Sequence, residues 1–160
     1  MNKFTVGALV KNQFGVLNRI TGLFSKRGYN IDSLAVGETE NPEISRITFV
    51  CSGDEYMREQ VVRQLEKLHD VIAVTLFGQD VVESEHMLIK LQLMGNCQTA
   101  ISRSINRFSG RICDFGPDYV IIELTAPTAK IDEFIEHVRS MGILEVCRSG
   151  TLAMKIGRGG

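Results

Sequence analysis

Asn12, Gly15, Val16 and Leu17 fall where a strand runs into a helix through a very short loop, N-Q-F-G-V-L. A helix opening this abruptly leaves backbone N–H groups, here those of Gly15, Val16 and Leu17, pointing out of its first turn at the positive pole of the macrodipole. A carboxylate suits that place. Gly15 carries no Cβ to hold a ligand off the backbone, and the Asn12 amide offers both a donor and an acceptor. The same residues also read as a plain helix-entry turn, with the glycine chosen for its dihedrals. A second stretch, Gly28-Tyr29-Asn30-Ile31-Asp32-Ser33-Leu34, puts Asn30 just ahead of a strand that carries Ile31 and Val36. A helix stop followed by a strand start, with Asn30 in a left-handed turn, accounts for it equally well. Neither stretch alone names a function.

Other reactive side chains are scattered. Asp54-Glu55 and His69-Asp70 sit at predicted helix ends, where solvated capping is the expected role. No G-x-S-x-G elbow, H-E-x-x-H pair or P-loop occurs, and Gly150-Thr151 and the terminal glycines make no phosphate cradle. Catalytic residues are therefore expected to be absent. His69, His86 and His137 lack ligand spacing, so no metal site is expected either. Cys51, Cys97, Cys113 and Cys147 form no C-x-x-C pair; their apolar, strand-like surroundings predict buried or half-buried thiols. With 18 basic against 19 acidic residues in 160, the charge speaks against nucleic acid and anionic membranes as partners. No run of about 18 apolar residues occurs, so no helix is expected to span a bilayer. The opening Met1-Asn2-Lys3-Phe4-Thr5 does not read as a secretory signal, so a cytoplasmic location is expected.

The elements that must position Asn12 and Asn30 follow from periodicity. Phe4, Val6, Ala8 and Val10 alternate along a strand from Lys3 to Val10; Val16, Leu17, Ile20, Leu23 and Phe24 recur at helical spacing, closed by Lys26, Arg27 and Gly28. Strands are expected at Ile31–Glu38 and Ser45–Cys51, a helix capped by Asp54, and a strand at Val71–Phe77. The second half repeats the order: a strand at Glu85–Leu93, a helix over Gln98–Phe108, strands at Arg111–Phe115 and Tyr119–Thr125, a helix from Thr128, and a strand at Ile143–Leu152. Two βαββαβ units predict an α+β chain of two tandem ferredoxin-like domains, at 1–78 and 85–160, with a linker at 79–84. The tail Gly157-Arg158-Gly159-Gly160 reads as unpacked. Sheets of this kind leave one face and two edges open, which a second copy covers most economically, so a homodimer is expected.

The ordered set Asn12 to Leu17, Leu23 to Leu34 (L-F-S-K-R-G-Y-N-I-D-S-L) and Ser45 to Val50 (S-R-I-T-F-V) resembles the small subunit of acetohydroxyacid (acetolactate) synthase. The likeness continues through Met87-Leu88-Ile89-Lys90 to Glu145-Val146-Cys147-Arg148-Ser149-Gly150 and so spans nearly the whole chain. Phe14 stands where small residues or proline are common in that family, and Ser84-Glu85-His86 departs from its usual acidic residue, arginine and glutamate. The resemblance implies an amino-terminal ACT domain that pairs with its copy into one sheet and binds a branched-chain amino acid, usually valine, at the interface. Carried over by position, Gly15, Val16 and Leu17 supply the backbone side, Asn12 an amide, Asn30 and Ile31 of the other protomer further contacts, and Val36 the apolar lining. It further implies a regulatory role without catalysis: activation of a catalytic large subunit and feedback inhibition by valine, with leucine or isoleucine as other effectors. Thiamine diphosphate, FAD and magnesium are expected on that large subunit and no cofactor on this chain. The alternative is a free-standing ACT-type sensor acting on an unrelated partner.

Overall fold

A computed structural model describes residues 2–93 and 98–157. The first sheet has strands β1 (Asn2–Lys11), β2 (Ile31–Glu38), β3 (Ile44–Gly53) and β4 (Val71–Leu76), with helices α1 (Val16–Arg27) and α2 (Glu55–Glu66). Its order is β2-β3-β1-β4, and every pairing is antiparallel. Phe4, Val6, Ala8 and Val10 point to one face because side chains alternate along a strand, and all four are buried there. Val16, Ile20 and Phe24 form the inward stripe of α1 at a spacing of four, and Phe24 stacks on Phe49 of β3 at 5.0 Å between ring centroids. Gly28, at φ 68°, ends α1: its N–H and that of Tyr29 donate to Ser25 O and Phe24 O. Asp54 starts α2 by accepting the Met57 N–H at 2.8 Å, as its position in the sequence suggests.

The second sheet has strands β5 (Val81–Gln92), β6 (Arg111–Phe115), β7 (Tyr119–Ala126) and β8 (Ile143–Lys155), with helices α3 (Gln98–Phe108) and α4 (Thr128–Val138). Its order is β6-β7-β5-β8. Met87, Ile89 and Leu91 of β5 and Ile122 and Leu124 of β7 bury against Ile101, Ile105 and Phe108 of α3 and Ile131, Phe134 and Val138 of α4. The two repeats are thus α+β sandwiches of one antiparallel sheet and two helices each.

Two boundaries differ from the sequence reading. β5 starts at Val81, inside the stretch read as a join, because Gln79 and Asp80 make the turn and Val81 N donates back to Gln79 O. β8 runs on to Lys155, and by compactness the chain divides into 83–150 and a unit made of 1–82 together with the segment from Thr151. Within that first unit Thr151 N donates to Ser33 Oγ at 3.1 Å and Ile156 N to Asp80 O at 3.1 Å, while Thr151 and Ala153 are buried. Gly157 is exposed; the remaining three tail residues and Cys97 lie outside the described residues.

The thiols also need correction. Cys51 is buried on β3, but Cys113 and Cys147 are exposed. They lie on β6 and β8, the two edges of the second sheet, and an edge strand carries the same residue pattern as a central one while burying far less. Among the described residues no helix is long and apolar enough to cross a membrane.

Candidate functional site

The end of β1 is tied down on both sides: Lys11 N donates to Asp70 O at 2.9 Å and Asn12 N to Glu43 O at 2.7 Å. Gly15 then takes φ 82°, ψ −6°, a left-handed conformation that a side chain makes costly, and α1 begins at the next residue. No side chain caps this helix and no acidic residue stands in its first turn. The Val16 N–H is spent on a long turn bond to Gln13 O, 3.3 Å, whereas those of Gly15, Leu17 and Asn18 meet no acceptor among the described residues. The helix start therefore presents unpaired donors and a partial positive charge to solvent. Val16 turns its side chain into the core, Leu17 is half-exposed at 41%, and Phe14 stands fully exposed beside them.

Asn12 sits at the same end of the sheet. Its Nδ2 donates to Glu38 Oε1 at 3.0 Å and to Pro42 O at 2.9 Å, so its amide donors face the β2–β3 connection and its Oδ1 is left as an acceptor. Val36, two residues before Glu38 on edge strand β2, is 48% exposed opposite Ile47.

Asn30 and Ile31 lie at the other end of β2. Ile31 pairs with Cys51 and Glu38 with Ser45, which separates the two ends by about 23 Å at 3.3 Å per residue. Asn30 Nδ2 donates to Asp32 Oδ1 at 2.7 Å, and the other Asp32 oxygen takes the Ser52 hydroxyl. One copy of the chain thus gathers Asn12, Gly15, Val16, Leu17 and Val36 at one end and leaves Asn30 and Ile31 at the far end of the same strand.

Arg19 at the helix start escaped the sequence reading, and its partner Asp70 differs from the expectation there. Arg19 bonds Asp70 through Nε at 2.8 Å and its terminal nitrogen at 2.7 Å, and a terminal guanidinium nitrogen lies 3.3 Å from where a Cβ on Gly15 would stand. Partial burial pushes the Asp70 carboxyl up, but the Arg19 guanidinium outweighs it and, with His69, holds the carboxyl below its ordinary range. Asp70 is accordingly an anchor, 15% exposed, and not the solvated cap expected beside His69. Its partner lies 51 positions away, so no local pattern marks it. Lys11 Nζ, 3.5 Å from His69 Nδ1, adds further positive charge nearby. Free donors, a guanidinium, an amide acceptor and exposed aliphatic side chains can receive a carboxylate with a small apolar group.

The other charged cluster lies in the second unit. Arg148 grips Glu85 through two nitrogens at 2.7 and 2.8 Å and gives its third to Asp132 at 2.8 Å. The Arg148 bond, opposed by burial, holds the Glu85 carboxyl low, with Thr128 and the Gly150 backbone also donating to it. The cluster saturates itself and offers a ligand little. Burial, helped by Asp32, pushes the Cys51 thiol up to about 12, which removes it as a nucleophile at neutral pH.

Comparison with known proteins agrees on one family along the chain. Residues 7–73 match the AHAS small subunit-like ACT domain, and residues 84–157 match the small subunit of acetolactate synthase. The acetolactate synthase isozyme 3 small subunit of Escherichia coli is 40% identical over 154 residues, 95% of this chain and 94% of that protein. The probable acetolactate synthase small subunit of Archaeoglobus fulgidus is 42% identical over 152 residues, 95% of this chain and 96% of that one. The solved acetolactate synthase small subunit of Thermotoga maritima superposes with a TM-score of 0.91 at 33% identity, covering 99% of this chain and 100% of its own.

Proposed function

The chain belongs to the family of acetolactate synthase small subunits, and from that premise we propose that it is a regulatory subunit in branched-chain amino-acid synthesis that binds a catalytic large subunit, activates it, and makes it answer to valine. The observation that carries the effector part is the uncapped start of α1, where unpaired N–H groups and Arg19 face solvent beside exposed Leu17 and Val36. Valine's carboxylate takes the helix start, its ammonium the Asn12 Oδ1, and its isopropyl group the aliphatic side chains. Burying that group is worth about 1.5–3 kcal/mol, so the polar contacts carry much of the affinity.

A second copy completes the site in this reading. β2 is an edge strand, and a two-fold antiparallel pairing of β2 with its copy sets the Ile31 end of one strand against the Glu38 end of the other. The partner's asparagine at position 30 then approaches Asn12, which one chain alone keeps far from it. The edge position of β2 supports the homodimer together with the site.

Control runs through linkage. The small subunit favours the active form of the large subunit; valine binds one state of the effector dimer better and shifts the assembly toward the less active form. Equal affinity for both states would give no inhibition, however tight the binding. Thiamine diphosphate, FAD and magnesium belong to the large subunit in this scheme, and this chain, working in the cytoplasm, contributes no catalytic group.

The test is to mix the chain with its cognate large subunit and follow acetolactate formation with and without valine. Turnover should rise severalfold on mixing and fall as valine is added, with leucine and isoleucine weaker. Turnover unmoved by mixing would refute the subunit role, and absence of heat with all three amino acids in calorimetry would refute the effector site.

A further inference from the structure

Family boundaries and compactness disagree about the segment after Gly150. The carboxy-terminal family model runs to residue 157, yet Thr151 onward groups with the amino-terminal unit. The segment is firmly held there. Thr151 and Ala153 are 4% and 6% exposed, and the Thr151 N–H is donated to the Ser33 hydroxyl at 3.1 Å. Ile156 N closes the far end on Asp80 O.

Ser33 occupies a particular place on β2. It lies between Ile31 and Val36, the two residues of β2 among the seven assigned above to the effector. The β2–β3 register shifts between Ile31 and Ser33, so Asp32 is the extra residue of a bulge. A bulge is where a strand bends with the least loss of ladder bonds. Ser33 is therefore the first residue back in register beyond the deformable point, and its side chain holds a different element.

β8 is fixed just ahead of that contact. Arg148 is locked on buried Glu85, the Gly150 backbone donates to the same carboxylate, and Gly150 turns the strand at φ 79°. Any change in the bend of β2 on filling of the site must either be passed to β8 or break the Ser33–Thr151 bond.

We infer that Ser33 is a positioning residue that couples β2 to the terminal part of β8, so that residues 151–155 respond to the effector state of β2. The inference rests on the effector reading of the preceding subsection and names the element by which that site is read. It needs no ligand contact from Ser33; the hydroxyl acts by accepting the Thr151 N–H. Coupling of this kind requires only that β2 has two arrangements and that β8 bonds one of them better.

The test is amide hydrogen exchange by mass spectrometry on the full chain, with and without saturating valine, for wild type, Ser33→Ala and Ser33→Thr, alongside calorimetry with valine. In wild type, valine should change exchange at least threefold both in 31–38 and in 151–155. In Ser33→Ala, exchange in 151–155 should be at least threefold faster without valine and should no longer respond to it, while 31–38 still responds. Ser33→Thr keeps the hydroxyl and should restore the wild-type pattern, which a purely volumetric role for serine would not produce. A wild type in which 31–38 responds and 151–155 does not would overturn the inference, as would a Ser33→Ala chain whose 151–155 segment still responds. If the wild type gives no heat with valine, the effector reading itself fails and takes the inference with it.

Discussion

Arg19 reaches from the first turns of α1 to Asp70 and, in doing so, places a guanidinium nitrogen 3.3 Å from the point a Gly15 Cβ would occupy. A cation near the amino end of a helix opposes the macrodipole, and here the Asp70 carboxylate offsets it. The glycine is thus constrained twice, by a left-handed backbone and by its neighbour. Gly15→Asp should cost roughly 1–2 kcal/mol of stability from the backbone alone and should put a carboxylate where the effector's own belongs. Valine inhibition should disappear while activation of the large subunit remains, as judged by turnover of the mixed enzyme with increasing valine. Inhibition at the wild-type concentration would remove Gly15 from the site.

Asn30 is exposed and, among the described residues, is bonded locally, to Asp32 two residues on. Asn30→Ala should leave Tm within about 3 °C of wild type, since exposed polar substitutions change stability little. Valine affinity should drop on the order of tenfold, the usual worth of one good polar contact. Calorimetry paired with a thermal melt separates these outcomes, and an unchanged affinity would mean that the partner's strand does not bring this residue to the effector.

Glu85 gives the largest expected loss of stability. Its side chain is 4% exposed and meets Arg148 in a two-pronged bond, with Arg148 itself 33% exposed. Glu85→Ala leaves a half-buried guanidinium with only Asp132, at a cost of about 2–3 kcal/mol. Urea unfolding should show the unfolding free energy fall by that amount; a change under about 0.5 kcal/mol, the size of an ordinary surface change, would mark the pair as ornamental.

The same carboxylate makes stability depend on pH. Arg148 holds the folded pKa of Glu85 below its ordinary value of 4.5, so the unfolded chain takes up a proton first as pH falls, and stability rises with pH in this range. The contribution is fully present above the ordinary value and is lost as pH drops through the depressed one. Unfolding free energies measured from pH 6 downward should decline more steeply in wild type than in Glu85→Gln, and superimposable profiles would contradict the assignment.

Thiol accessibility distinguishes the edges from the core. Cys113 and Cys147 are exposed and Cys51 is buried with its thiol pushed up to about 12. A disulfide reagent at pH 8 should label the first two in the native chain and Cys51 only after denaturant is added, which peptide mapping reads directly. Native labelling of Cys51 would show that the first core opens readily.

Local chemistry was legible in the sequence. Asp54 marked the start of α2, Gly28 the end of α1, and the alternation of Met87, Ile89 and Leu91 the inner face of β5. The turn at Gly15 that opens α1 was visible for the same reason, since its conformation is local, whereas the bonds of Asn12 to Glu38 and Pro42 reach 26 and 30 positions along the chain. What stayed hidden is non-local. Asp70 looked like a cap because its partner is far along the chain; Cys113 and Cys147 looked interior because a strand's pattern does not say whether it lies at an edge. The return of Thr151 to Ser33 depends on a hydrogen bond that no periodicity encodes.

That return has a consequence for biogenesis. The Ser33–Thr151 bond spans 118 positions, and a ribosome adds residues at about 5–20 per second. The amino-terminal half therefore emerges, collapses and waits several seconds before the segment that finishes it is made. During that interval its unit is short of Thr151 to Ile156, and a nascent chain stalled or cleaved before them would release that unit without the segment that covers it.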